Sequence, residues 1–170
     1  MTDQLQKLYE EMYPKLVRQA AFMLGDVGAA EDAAQEAFLR LYRQGLDEIE
    51  NPSAWLTKVT NNLCYSHLRS EGNRRRREEK VGQAEEAVGF SLVVPSAEQL
   101  VVDREELQLI RQALAELKPR DRMVLLMKFS GYNYEEIAAT LDVSKGSVGT
   151  FLARARERFR QAYQRFLLTN

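Results

Sequence analysis

Apolar side chains recur along this chain at intervals of three and four residues, and the alternation a β-strand needs is nearly absent. Leu5, Leu8, Met12, Leu16, Ala20 and Met23 predict a helix over about residues 3–24, ended by Gly25 and Asp26. Ala30, Ala33, Ala37 and Leu41, flanked by Ala34 and Phe38, predict a second over about 28–43. The stretch QGLDEIE loses the period and reads as a loop. Asn51-Pro52 then opens a third helix, with Asn as cap and Pro in a first turn that needs no N–H. That helix carries Trp55, Val59, Leu63 and Leu68 into the arginine run 74–77. From Gly72 to about Val101 the pattern dissolves among glycines, Pro95 and mixed charge, as in a linker. Period returns over about 102–117, in a short helix from Pro119 that buries Met123, Leu126 and Met127, and in helices over about 134–141 and 145–167. The expectation is an all-α protein. Two small helical domains, 1–71 and 102–170, flank a flexible linker over 72–101.

Composition alone would turn attention away from nucleic acid, since 24 basic and 25 acidic residues leave a net charge of −1 over 170 positions. Its distribution reverses that. Residues 1–52 carry a net −5, 53–80 a net +4, 81–143 a net −5 and 144–170 a net +5. A phosphate backbone or an acidic partner meets local charge, not the total. One cysteine, Cys64, excludes an intrachain disulfide, and one histidine, His67, leaves no cluster for a metal or for His-based catalysis. No cofactor is expected. Apolar runs such as Val124 to Met127 are too short to span a bilayer, and the N-terminus lacks the basic start and apolar centre of a signal peptide. A cytoplasmic protein is expected.

The most informative segment is YEEIAATLDVSKGSVGTFLARAR, residues 134–156. Asn133 and Glu136 have the spacing of a capping box. Ile137 and Leu141 lie one turn apart, and Ala138 is small where two helices must cross. Asp142 sits at the turn and tolerates a left-handed backbone better than most residues. Val143 plugs the turn, Ser144 caps the next helix, and Val148, Phe151 and Leu152 point back inward. This is the pattern of a helix-turn-helix. The outer face of its second helix offers Lys145, Gly146, Ser147, Thr150, Arg154, Arg156 and Arg158 to a major groove and its phosphates.

Three segments in order, AAEDAAQEAFLRLYRQ (29–44), NPSAWLTKVTNNLCYSHLRS (51–70) and the helix-turn-helix, resemble the extracytoplasmic-function sigma factors of bacterial RNA polymerase. The resemblance covers roughly residues 5–71 and 100–168. It implies a first domain that docks on core polymerase and opens the −10 element, and a second that reads the −35 element. Asp32, Gln35 and Glu36 match a D-x-x-Q-E motif that contacts the clamp coiled coil of the β′ subunit, and their spacing puts them on one helical face. Trp55, Lys58, Asn61 and Asn62 fall on the helix that captures a flipped −10 base, although Trp55 is expected chiefly as a core anchor. Asn61 and Asn62 sit mid-helix, where Asn is poor by propensity, and simple exposure is the plain alternative. Implied partners are core RNA polymerase (including the β flap), promoter DNA and an anti-sigma factor, with no membrane insertion.

Two departures matter. Gly149, Thr150 and Phe151 stand where the family commonly has a basic residue followed by Ser-Arg, so a cation is missing from the recognition helix. Ser66 replaces a frequent Asp. The main reading is a transcription initiation subunit without catalysis of its own. The runner-up is a free-standing helix-turn-helix regulator, which leaves the D-x-x-Q-E face and the paired asparagines without a task. A small enzyme acting on nucleic acid would need a metal or nucleophile constellation that the sequence nearly excludes. Cys64, among apolar neighbours, reads as structural rather than redox-active.

Overall fold

The computed structural model describes residues 2–81 and 103–169, with side-chain environments for 3–74 and 103–169. Seven α-helices and one short 3-10 turn make up these residues, with no strand among them. The first half holds α1 (Thr2–Leu24), α2 (Val27–Gln44) and α3 (Pro52–Val81). The second holds α4 (Arg104–Glu116), α5 (Pro119–Phe129), α6 (Tyr134–Leu141) and α7 (Lys145–Thr169). The all-helical expectation holds, with most boundaries within two residues.

Local chemistry accounts for the helix ends. Asp26 accepts from the Ala29 N–H at 3.2 Å to cap α2, and Asn51 accepts from the Ala54 N–H at 3.2 Å to start α3. Gly45, at φ 94°, ends α2 and feeds the 3-10 turn Leu46–Glu48, inside the stretch expected to be loop. Pro14 lies within α1 on its exposed side, where the carbonyl it leaves without a helical donor meets water. The end of α3 differs from the expectation. The pattern predicts a linker from residue 72, yet the helix runs on to Val81. Arg, Glu and Lys propagate a helix well without any apolar period, and one glycine costs only about 1 kcal/mol. Residues 82–101 of the expected linker lie outside the described residues.

Two apolar clusters hold the helices together. One belongs to the first half alone: Met12 and Leu16 of α1, Ala34, Ala37, Phe38 and Leu41 of α2, and Leu56 of α3. The other draws on both halves. Ala20 and Met23 of α1 and Cys64 and Leu68 of α3 pack with Met123 and Met127 of α5, Ile137 and Leu141 of α6, and Val148 and Leu152 of α7. Phe22 of α1 and Phe129 of α5 add a ring pair with centroids 5.6 Å apart. The two halves therefore share a core besides their covalent connection. Apolar positions at the end of α1 and along α3 exceed what the first cluster uses, and the second half covers them.

Candidate nucleic-acid interface

The helix-turn-helix forms as its sequence requires. Asn133 Oδ1 accepts from the Glu136 N–H at 2.8 Å, and Glu136 Oε1 accepts from the Asn133 N–H at 3.1 Å, closing a reciprocal cap. Ile137, Ala138 and Leu141 are buried. Asp142 takes φ 56°, ψ 51°, the left-handed conformation that ends α6, and the Val143 N–H returns to the Ala138 carbonyl at 3.1 Å. Ser144 and Ser147 share a hydroxyl hydrogen bond of 2.6 Å at the start of α7. Val148, Leu152 and Ala155 face inward, while Lys145, Gly146, Thr150, Arg154 and Arg156 are exposed and Ser147 is half-buried. Gly149 has room for a methyl group, whose nearest neighbour would be a Tyr134 ring carbon at 3.9 Å.

Arg158 departs from the expected DNA-facing set. Its Nη1 donates to Asp121 Oδ2 at 2.7 Å, and the Asp121 side chain is only 3% exposed. A buried carboxylate without a counter-charge is costly, so Arg158 is committed to joining α7 to α5. Phe151, expected to point inward, is half-buried, and the Arg120 guanidinium lies 4.0 Å from its ring centroid.

On α3 the expected residues separate. Lys58 is exposed, Asn62 is half-buried, and Trp55 packs against the first cluster as the anchor reading required. Asn61 is only 2% exposed, which removes simple exposure as its explanation. It makes a side-chain hydrogen bond to the Tyr132 phenol, whose pKa is raised by burial and partly restored by that bond. Its Oδ1 is buried without a partner, so the amide N–H group makes the bond. Around it, Lys58 and Thr57 of α3 and Glu135, Glu136 and Thr140 of α6 line a single cleft. Neither Tyr132 nor Asp121 stood out in the sequence. Asp121 carries only the weak signal of an acid in the first turn of a helix, and Tyr132 sits in an ordinary turn.

The α2 face is open. Asp32 and Gln35 are exposed, Gln35 Nε2 reaches the Tyr13 hydroxyl at 3.4 Å, and half-buried Glu36 pairs with Arg40 at 3.1 Å. Cys64 is fully buried, and burial pushes its thiol up to about 12, far from a reactive thiolate.

Comparison with known proteins matches residues 8–74 to the family described as Sigma-70 region 2 and residues 107–159 to Sigma-70, region 4. The ECF RNA polymerase sigma factor SigW of Bacillus subtilis is 30% identical over 158 residues, 89% of this chain and 84% of that protein. The chain belongs to the sigma-70 family, in its extracytoplasmic-function (ECF) group. The ECF RNA polymerase sigma-E factor of Escherichia coli is 33% identical over 138 residues, 76% of this chain and 71% of that one. A probable ECF sigma factor, SigI of Mycobacterium tuberculosis, is 31% identical over 148 residues, and this chain spans about half of it (51%). Among solved structures, the sigma factor RpoE of Bartonella quintana, in complex with the anti-sigma factor NepR, superposes with a TM-score of 0.62. Its identity is 26%, over 96% of this chain and 98% of that one. Asp32 to Asn62 thus lie in the region 2 match and Lys145 to Arg158 in the region 4 match. Among the described residues no helix is long and apolar enough to cross a membrane.

Proposed function

We propose that this protein is a dissociable initiation subunit of bacterial RNA polymerase, which docks on the core enzyme, recognises promoter DNA and assists its melting. The observation that carries the reading is the coexistence, in one chain, of a fully formed helix-turn-helix with outward Lys145, Thr150, Arg154 and Arg156 and a separate open face of Asp32, Gln35 and Glu36. In this reading the α2 face meets the clamp of the polymerase β′ subunit. The exposed side of α7 enters the major groove at −35, where Thr150 reads base edges and the cations meet phosphates. Asn61 and Asn62 hold an extruded base of the −10 strand, for which a buried amide with a spare acceptor is suited.

The shared core adds a condition. Glu135 and Glu136 line the same cleft as Lys58, where their carboxylates would repel a DNA phosphate, and Tyr132 occupies the Asn61 amide. Reading at −10 requires α6 to lift from α3, and binding to the core polymerase supplies the energy. An anti-sigma factor is a fitting partner, since the Bartonella relative forms a complex with one, and one that engaged both halves would hold this closed arrangement. Run-off transcription on a promoter library tests the function: transcripts that start at defined sites only when core enzyme and this protein are both present support it. Specific duplex binding by the protein alone, with no effect on the core enzyme, would favour a free-standing regulator.

A further inference from the structure

The recognition helix is short of cations where it first meets a groove. Across Lys145–Leu152, its first two turns, Lys145 is the one cationic residue. Arg154 follows in the third turn, and Arg158 is held by Asp121. Position 151 lies between Ser147 and Arg154 on one stripe of α7, since spacings of four and three share a helical face. It also adjoins exposed Thr150. Phe151 is half-buried, and the cation that covers it comes from another helix: Arg120, in the first turn of α5, lies with its guanidinium 4.0 Å from the ring centroid.

Such stacking fixes the plane of a guanidinium through its π face and leaves the in-plane N–H donors free to meet an anion. Three arginines of α7 are occupied by carboxylates. Arg158 pairs with Asp121, Arg160 with Glu157 and Arg165 with Glu116. No carboxylate pairs with Arg120 among the described residues, and the side chain is half-exposed. A strut that merely joined α5 to α7 would not need a charge, and Asp121–Arg158 already makes that connection one residue away.

We propose that Arg120 is a DNA-contacting residue of this helix-turn-helix, delivered from α5 and seated on Phe151 so that it donates to a backbone phosphate beside the base step met by Thr150. The inference rests on the reading of α7 as the helix that enters the groove. Phe151 is then a positioning residue, and α5 becomes part of the DNA-binding surface.

The test uses full-length protein in holoenzyme, with the duplex promoter identified by run-off transcription, titrated across a salt series. Arg120→Ala lowers affinity about tenfold and reduces the log–log salt slope by about 0.9, the signature of one lost phosphate contact. Arg120→Lys keeps most of the slope. Phe151→Leu weakens binding in the same direction, and adding it to Arg120→Ala costs nothing more, since both remove one contact. Phe151→Arg in the Arg120→Ala background restores the slope, because a cation then grows from the helix at the same place. Thermal melting keeps folding defects apart from binding defects. Arg120→Ala that lowers melting temperature but leaves the slope unchanged makes Arg120 a strut and overturns the inference. The inference also falls, alone, if Arg120→Ala changes neither quantity while Arg154→Ala lowers the slope. If Arg154→Ala also leaves it unchanged, the reading of α7 fails and takes this inference with it.

Discussion

Helix α2 leaves Asp32 and Gln35 in solvent, whereas α3, one connection later, holds Asn61 at 2% exposure beneath the turn that leads into α6. Both helices present polar residues at helical spacing beside a buried stripe, so their difference is not one of local pattern. It comes from what docks on them. The outer side of α2, with Asp32 and Gln35, stays exposed, and only its inner Ala30 and Ala33 reach the core that α3 shares with α5, α6 and α7. One surface is available in the free protein and the other only after the halves part. In the proposed function this sets an order: docking on the polymerase first, base capture later.

The largest effect should come from the open surface. Asp32→Ala with Glu36→Ala is expected to weaken binding to core polymerase by roughly 2–5 kcal/mol, the range for charges lost from a desolvated contact. The isolated protein should change by no more than about 0.5 kcal/mol, since the Glu36–Arg40 pair is a partly exposed i,i+4 pair. Pull-downs with circular dichroism check both halves of that statement, and undiminished core affinity would remove α2 from the contact. On α3, Asn62→Ala should cost roughly 1–3 kcal/mol at the melting step and little in closed-duplex binding. Permanganate footprinting beside a gel shift separates the two, and equal losses in both would make Asn62 an ordinary helix residue.

A smaller change probes the cover itself. Tyr132→Phe removes the hydroxyl that meets Asn61 and strands a second buried polar group there, costing about 1–2 kcal/mol of closed packing. The denaturation midpoint should fall, and amide exchange around Asn61 should quicken. Unchanged exchange would mean that the bond contributes nothing to closure. Smallest of all, Gly149→Ala should stabilise the protein by up to about 1 kcal/mol, because the methyl group has room and helical glycine is disfavoured. Seen by thermal melting, that gain should leave exchange at Asn61 untouched, as the new methyl group would meet only the Tyr134 ring at ordinary contact distance.

Local features of this fold were legible in the sequence. The bounds of α6, its reciprocal cap and the left-handed Asp142 are settled by residues within four positions of each other, and all three follow from the pattern 133–142. The inward Val148 and Leu152 do too. What could not be read are contacts between residues far apart in the chain. Asp121 and Arg158 are 37 residues apart, and Asn61 and Tyr132 are further still, so no local periodicity announces either pair. Arg158 and Asn61 stand out in the sequence as polar positions, yet their partners depend on how α5 and α6 settle against α7 and α3. The arginine-rich end of α3 failed differently. Its charge hid a helix that needs no apolar stripe to continue.

Cys64 belongs to the buried side of this comparison. Burial raises its pKa from 9.0 to about 12, so the folded state keeps a proton that the unfolded chain releases, and this contribution to stability is lost as pH rises across that interval. Near neutral pH the thiol stays inert, which leaves engineered surface cysteines as the reactive ones. Dyes on Ser66→Cys of α3 and Glu135→Cys of α6, both exposed positions, therefore give a direct distance between the two halves by single-molecule energy transfer. One high-transfer population is expected in the free protein, with a shift to low transfer when core polymerase is added. Low transfer in the free protein, or high transfer that persists in holoenzyme competent for promoter opening, would contradict it.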